Sequence, residues 1–264
     1  MNEGTALLAE TPSTAPEIET LSFELGPDIG HRGAIGVVVL DVDSTLEQEF
    51  RAILPLDGVS LYVSRITMGN HVTKETLCAM EGGIVDSAAL IHPGRKLDVL
   101  AFACTSGAVA IGEDRVFQRL REVRPGIACT SPMTAGVAGL KRLGCDSVAL
   151  ITPYTHDITS MMGGFIEDHG IAVTAAATFD NPDDAAVARI SAGSIREAIL
   201  SAGAGPAQAV FVSCSSLHVL PLIEACEAEL GKPVLASNQA MAWHCMRLAG
   251  VDDALVGFGR LLMH

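Results

Sequence analysis

From Ala34 onward the chain alternates short, almost uninterrupted apolar runs with longer amphipathic stretches, and this alternation narrows the fold more than any other feature. The runs Ile35–Leu40, Val59–Ile66, Val99–Ala103, Ile127–Thr130, Ser147–Ile151, Ala172–Ala177, Ala209–Val212 and Val234–Ala236 predict strands. Helical spacing is read over Thr73–Leu90, Arg115–Val123, Met133–Leu143, Ile158–His169, Asp183–Ala202, Val219–Leu230 and Gln239–Leu248. Strands that are apolar on both faces and separated by helices require parallel sheets covered on both sides. The expected class is therefore α/β.

A weak internal repeat adds the organisation. Gly36-Val-Val-Val-Leu40 leads into a polar loop at Asp41–Thr45, and a later strand ends in Cys104-Thr-Ser106. Ser147-Val-Ala-Leu-Ile151 leads into a loop at Thr152–His156, and a later strand ends in Cys214-Ser-Ser216. An offset of 111 brings Tyr154 onto Asp43, and an offset of 110 brings Cys214 onto Cys104. The expectation is two pseudo-symmetric, flavodoxin-like parallel-sheet halves with the active site between them, since ligands of open α/β sheets bind beyond the carboxyl ends of the strands. Residues 1–30, rich in Thr, Ser, Pro and Glu, read as a flexible N-terminal arm; 31–128 form the first half, rejoined by 235–264, and 129–234 the second.

At 264 residues and 49% apolar content the chain can bury a core without disulfides or metals. Its longest apolar runs fall far short of the roughly 20 residues that span a bilayer. No secretory signal is visible, and seven cysteines without one imply reduced thiols, so a cytoplasmic protein is expected. The net charge is −14, and six acids without a base in residues 1–28 leave −8 for the remainder. With no basic stripe interleaved with aromatics, nucleic acid and anionic membrane surfaces are excluded as partners. A small anionic substrate is not, because a few local donors suffice to bind one.

Cys104 and Cys214 each end an apolar strand and precede small polar residues able to open a helix. Backbone N–H groups there lower a thiol pKa and bind a carboxylate. Two facing thiols can act on opposite sides of a carbon next to a carboxylate, one as thiolate and the other as proton donor, without metal or cofactor. Thr105, Ser106, Ser215 and Ser216 flank them as helix caps or substrate-oxygen donors.

These residues carry a family resemblance. With Ala103-Cys104-Thr-Ser, Leu150-Ile-Thr-Pro-Tyr154, Asp180-Asn181, Val212-Ser-Cys214, Leu220-Pro-Leu-Ile-Glu224 and Gly231-Lys-Pro-Val-Leu-Ala-Ser-Asn-Gln-Ala240, the chain resembles the maleate isomerase, arylmalonate decarboxylase and aspartate/glutamate racemase superfamily over residues 34–264. The resemblance is closest to the maleate isomerases. It implies a cofactor-independent isomerase or racemase acting on a small carboxylate and working as a homo-oligomer. Cys104 and Cys214 would be catalytic, and Tyr154 and Asn181 would bind substrate. One position departs: the family's carboxylate-binding asparagine in the first loop is replaced here by Asp43. An ionised Asp43 repels a carboxylate and prefers an N–H donor or a cation. The arm and the Leu40-Asp-Val-Asp-Ser-Thr45 stretch resemble the ectoine-utilisation branch, which implies an ectoine-derived substrate.

Three rivals stand beside this reading. An arylmalonate-type decarboxylase on the same fold would keep only the second cysteine. Val37-Val-Val-Leu-Asp41-Val-Asp43-Ser-Thr45 also matches the first motif of haloacid-dehalogenase-type, Mg²⁺-dependent phosphatases, although the later acidic pair that such a site needs is missing. A non-catalytic small-molecule-binding protein would share the two-half architecture but needs no thiols. Of the remaining cysteines, Cys78, Cys145, Cys226 and Cys245 read as small core hydrophobes, and Cys129 as a strand-end thiol able to approach the cleft. His218 could tune Cys214, and His156 and His71 could face the site; Ser237-Asn-Gln239 reads as a rim loop.

Overall fold

The computed structural model describes residues 16, 18–55, 57–69 and 71–264. Of the arm expected over residues 1–30, positions 1–15 and 17 lie outside the described residues. From 18 to 28 the chain runs without helix or strand, and Ile18, Leu21, Phe23, Leu25 and Ile29 are exposed.

The first repeat runs β1 (Gly33–Leu40), α1 (Leu46–Ile53), β2 (Val59–Ile66), α2 (Lys74–Ala79), α3 (Ile84–Ala89), β3 (Val99–Phe102), α4 (Thr105–Ile111), α5 (Glu113–Val123), β4 (Ala128–Thr130) and α6 (Pro132–Arg142). The second follows the same plan: β5 (Ser147–Thr152), α7 (His156–Asp168), β6 (Ala172–Thr178), α8 (Asp184–Val187), α9 (Ala192–Gly203), β7 (Ala209–Val212), α10 (Ile223–Leu230), β8 (Val234–Ala236) and α11 (Ser237–Leu248). Each repeat builds one parallel four-stranded sheet, ordered β2-β1-β3-β4 and β6-β5-β7-β8. The class and the paired parallel sheets are those the sequence implies. The uninterrupted apolar character of β1 and β7 follows from their inner positions, since every residue of both is buried. β6, an edge strand built largely of Ala and Thr, keeps residues of both faces partly or fully exposed.

Two expected helices are broken for local reasons. Gly82 and Gly83 end the helix expected over Thr73–Leu90 in a 3₁₀ turn, Met80–Gly83, between α2 and α3. Within Asp183–Ala202, Ser191 accepts the Ser194 N–H and starts α9 afresh. The two short helices α1 and α4 were not expected as separate elements.

The last helix of each repeat crosses to the other sheet. α6 follows β4 of the first sheet, yet Gly136 lies against the Phe211 ring of β7 and Gly139 against Leu235 of β8. α11 follows β8 of the second sheet, yet it packs on β1, β3 and β4, with the Thr130 hydroxyl 2.8 Å from His244 Nδ1. α6 and α11 also pack on one another, forming a two-helix layer between the sheets. The division points 128/129 and 234/235 both fall inside strands: β4 pairs with β3 and β8 with β7, and α11 is the element that returns to the first sheet.

An added Cβ at Gly136 would stand 2.4 Å from Phe211 Cζ, whose ring is fully buried. Gly136→Ala is therefore expected to destabilise the protein by about 1–3 kcal/mol through overpacking. In urea unfolding this appears as a lowered midpoint with an unchanged slope.

Candidate active site

In a sheet of this order the crevice lies beyond the carboxyl ends of the inner strands, where the connection direction reverses. Asp43 follows β1 and Cys104 follows β3; Tyr154 follows β5 and Cys214 follows β7. All four side chains are buried, Asp43 acts on Cys104 and both cysteines act on Tyr154, and the Thr45 hydroxyl bonds across to the Ser216 carbonyl, so the two crevices face one another as a single site.

Cys104 occupies the N-cap of α4 and makes no side-chain capping bond, but the Gly107 N–H and the Ser106 hydroxyl beside its sulfur favour the thiolate. Gly107 is required there, because a Cβ would stand 2.8 Å from Cys104 Sγ and 2.5 Å from Met80 Cε. Cys214 sits at the start of a turn, where the Tyr154 hydroxyl and the Ser216 and Leu217 N–H groups near its sulfur favour the thiolate. These donors favour thiolates, as the sequence position suggests. Burial outweighs them, and the Asp184 carboxyl adds to it, with Asp43 also acting on Cys104. Both thiols are pushed up to about 12. The expected lowering of the thiol pKa is thus corrected: burial and the neighbouring acids raise both thiols and favour their protonated forms. Burial, and then the neighbouring Cys214 and Cys104, also hold the Tyr154 hydroxyl well above its ordinary range.

The turn after Cys214 does not become the helix that its small polar residues suggest. The Val219 and Leu220 N–H groups that follow it are taken by Glu49, a buried carboxylate on α1. Glu49 Oε1 accepts from the Val219 and Leu220 N–H groups, both at 3.1 Å, and lies 3.0 Å from His218 Nδ1. Its Oε2 accepts from Asn238 Nδ2 at 2.9 Å, and the same amide donates to the Ser215 carbonyl at 2.8 Å. His218 is thereby committed to Glu49.

A second network crosses between the repeats. Asp43 Oδ1 accepts the N–H groups of Thr45 (2.9 Å) and Leu46 (2.8 Å), capping the start of α1. The Thr45 hydroxyl donates to the Ser216 carbonyl at 3.0 Å, and the Ser216 hydroxyl stands 3.0 Å from both oxygens of Asp184. Asp184, at the start of α8, was not anticipated; nothing in its spacing marks it. Asn181, expected as a substrate ligand, is half-buried in the preceding turn, where its Oδ1 accepts the Asp183 N–H at 3.0 Å. It is Asp184 that the fold brings to the thiols.

Thr105, Ser106 and Ser215 are buried beside their cysteines, with the Thr105 hydroxyl 3.5 Å from that of Ser237. Ser237, Asn238 and Gln239 form the first turn of α11 and are buried, where a rim loop was expected. Cys129 points its sulfur to the Ile127 carbonyl. Cys145, Cys226 and Cys245 are buried as read, whereas Cys78 is exposed. His156 and His71 are exposed. No group of three or more His, Cys, Asp or Glu with metal-holding geometry occurs among the described residues. No helix among them is long and apolar enough to cross a membrane.

The family model for arylmalonate decarboxylase matches residues 95–262, which take in both cysteines, Tyr154 and Asp184. The chain belongs to the arylmalonate decarboxylase family. It is 28% identical over 243 residues to the maleate isomerase of Geobacillus stearothermophilus, covering 86% of this chain and 96% of that protein. It is 28% identical over 227 residues to the arylmalonate decarboxylase of Bordetella bronchiseptica, covering 79% and 91%. Among solved structures, a cysteine-to-serine variant of the Nocardia farcinica maleate cis-trans isomerase with a covalently bound succinylcysteine intermediate superposes with a TM-score of 0.80 at 26% identity, over 88% of this chain and 98% of that one. Unliganded arylmalonate decarboxylase superposes with a TM-score of 0.70 at 26% identity, over 88% and 99%. The chain is thus an enzyme of a family that holds both isomerases and decarboxylases and uses catalytic cysteine, and the phosphatase alternative falls away.

Thiols held near 12 alkylate slowly at neutral pH. Iodoacetamide is therefore expected to label exposed Cys78 first, with Cys104 and Cys214 accelerating as pH rises from 9 towards about 12. Asp184→Asn removes a carboxyl that raises both, so peptide mass mapping at fixed pH is expected to show several-fold faster labelling of each.

Proposed function

We propose that the protein is a cofactor-independent isomerase or racemase in which Cys104 and Cys214 act from opposite sides of one carbon of a small carboxylate substrate. The observation that supports this most is the placement of two buried thiols at equivalent strand ends of the two repeats, both beside Tyr154 and Asp184. In racemisation, one sulfur as thiolate takes the proton from the carbon next to the carboxylate. The other, as thiol, delivers its proton to the opposite face, so the sulfurs exchange protonation states as the carbon inverts. In cis–trans isomerisation, the thiolate adds to one alkene carbon while the second thiol protonates its neighbour. Rotation about the resulting single bond and reversal of both steps releases the isomer. The succinylcysteine adduct of the Nocardia farcinica enzyme supports the second route as chemistry open to this site.

Tyr154 would orient the substrate and donate towards Cys214; Thr105, Ser106, Ser215 and nearby N–H groups would receive the carboxylate. Asn181 would serve from the turn above Asp184. Decarboxylation is the second reading within the family, and the presence of Cys104 favours two-sided chemistry over it. An ectoine-derived substrate is the reading that the first-loop residues support. A homo-oligomer fits the exposed apolar side chains of the arm.

The test is solvent-hydrogen exchange in D₂O across a panel of chiral and unsaturated small carboxylates, followed by NMR. The native enzyme is expected to incorporate deuterium or interconvert isomers. Cys104→Ser and Cys214→Ser are each expected to lose about a thousandfold or more in kcat/KM, as when one of two groups acting as a unit is removed. Full turnover by either variant refutes the two-thiol mechanism.

A further inference from the structure

The two buried carboxyls at the site have no cation of their own. Asp43 is 5% exposed and Asp184 7%, and neither forms an ion pair with Lys, Arg or His among the described residues. Asp43 spends only Oδ1 on capping α1. Its Oδ2 is fully buried and has no hydrogen-bond partner, although the Ser215 hydroxyl faces the carboxyl and favours its charged form. Asp184 receives a single hydroxyl, that of Ser216, shared between its two oxygens. The nearest guanidinium, Arg65, is taken up by the carbonyls of Leu40, Asp41 and Asp43 and by Glu47. Asp184 disfavours ionisation of both thiols and Asp43 that of Cys104, and Asp43 raises Asp184.

We infer that Asp43 and Asp184 together form the specificity subsite for a positively charged nitrogen, so that the substrate is a small carboxylate carrying an ammonium, amidinium or guanidinium group. This deepens the proposed function and rests on that site being the one that binds substrate. An N–H-bearing cation would supply the donor that Oδ2 lacks and would offset two like charges held at close quarters. A second carboxylate at this position would meet two acids and no free donor. A bound cation would also cancel part of the field that keeps both thiols protonated, so the remote charged group of the substrate would assist the thiol chemistry as well as binding.

Asparagine is the informative replacement at both positions. Its Oδ1 can keep the hydrogen bonds from Thr45, Leu46 and Ser216, while its Nδ2 turns an acceptor into a donor. The experiment is calorimetric titration at pH 8 with β-alanine and guanidinoacetate as cationic carboxylates, propanoate as the uncharged control, and succinate and maleate as dicarboxylates. The native protein is expected to bind β-alanine or guanidinoacetate about tenfold or more tightly than propanoate, with no advantage for either dicarboxylate. In the Asp43→Asn/Asp184→Asn variant the cation preference is expected to vanish and maleate to bind more tightly than to the native protein. Equal or absent binding of cationic and neutral probes by the native protein overturns the inference, as does a preference that survives in the double variant. Should that variant fail to fold, the native panel decides alone. Binding needs no turnover: a cation preference retained by Cys104→Ser and Cys214→Ser would stand even if the two-thiol mechanism failed, and its absence would leave that mechanism untouched.

Discussion

Glu49 is the fixed point of the molecule. A carboxylate removed from water costs several kcal/mol unless hydrogen bonds replace its hydration, and here two backbone N–H groups, an imidazole and a carboxamide do so. Its helix belongs to the first repeat, three of its partners follow β7 in the second, and the fourth lies on α11. Burial raises its pKa and the Asn238, Leu220 and His218 contacts work against that rise. The arrangement fixes the turn of Cys214 relative to the strand ends of the other sheet, which is a precondition for two sulfurs to address one carbon. A small positional error between facing groups forfeits most of what orientation contributes to rate.

Within that frame the site is set up against its own reactivity. Hydrogen-bond donors around both sulfurs favour thiolates, while burial and the adjacent acids oppose them, and the opposition wins. A closed, protonated resting state also protects the thiols from solvent oxidants and alkylators, which attack thiolates. Cys78, exposed, is open to solvent.

Much of this was legible in the chain. The strand positions came from uninterrupted apolar runs, because inner parallel strands have two buried faces; the cysteines and Tyr154 came from their places at strand ends in a repeat. The breaks in the longer helices were also written locally, in Gly82-Gly83 and in the capping Ser191, but a 3.6-residue apolar period hides them. Glu49 had a faint signal, a charge on the same face of α1 as Leu46, Phe50 and Ile53. Asp184 had none: its neighbour Asp183 is a helix cap that accepts the Ala185 and Ala186 N–H groups. Which of the two acids turns inward depends on a hydroxyl 32 positions away in sequence. Net thiol acidity was equally out of reach, because it follows from burial and long-range charge rather than from adjacent residues.

The crossing of α6 and α11 carries a last consequence. Each sheet is completed by the helix that ends the other repeat: α3 covers β1 and α9 covers β5 and β7 from within their own repeats, and the facing side is closed by the crossing helix. A chain of half the length, with four strands followed by one such helix, would close that side by trading helices with a second copy of itself. The result would be an isologous dimer, the same patch on both subunits. Its two-fold axis would pass between the α6-type and α11-type helices and between the two strand-end thiols. The present chain has the form of that dimer joined end to end, with the freedom to make the two sides of its site unlike: a tyrosine where the other side has an aspartate.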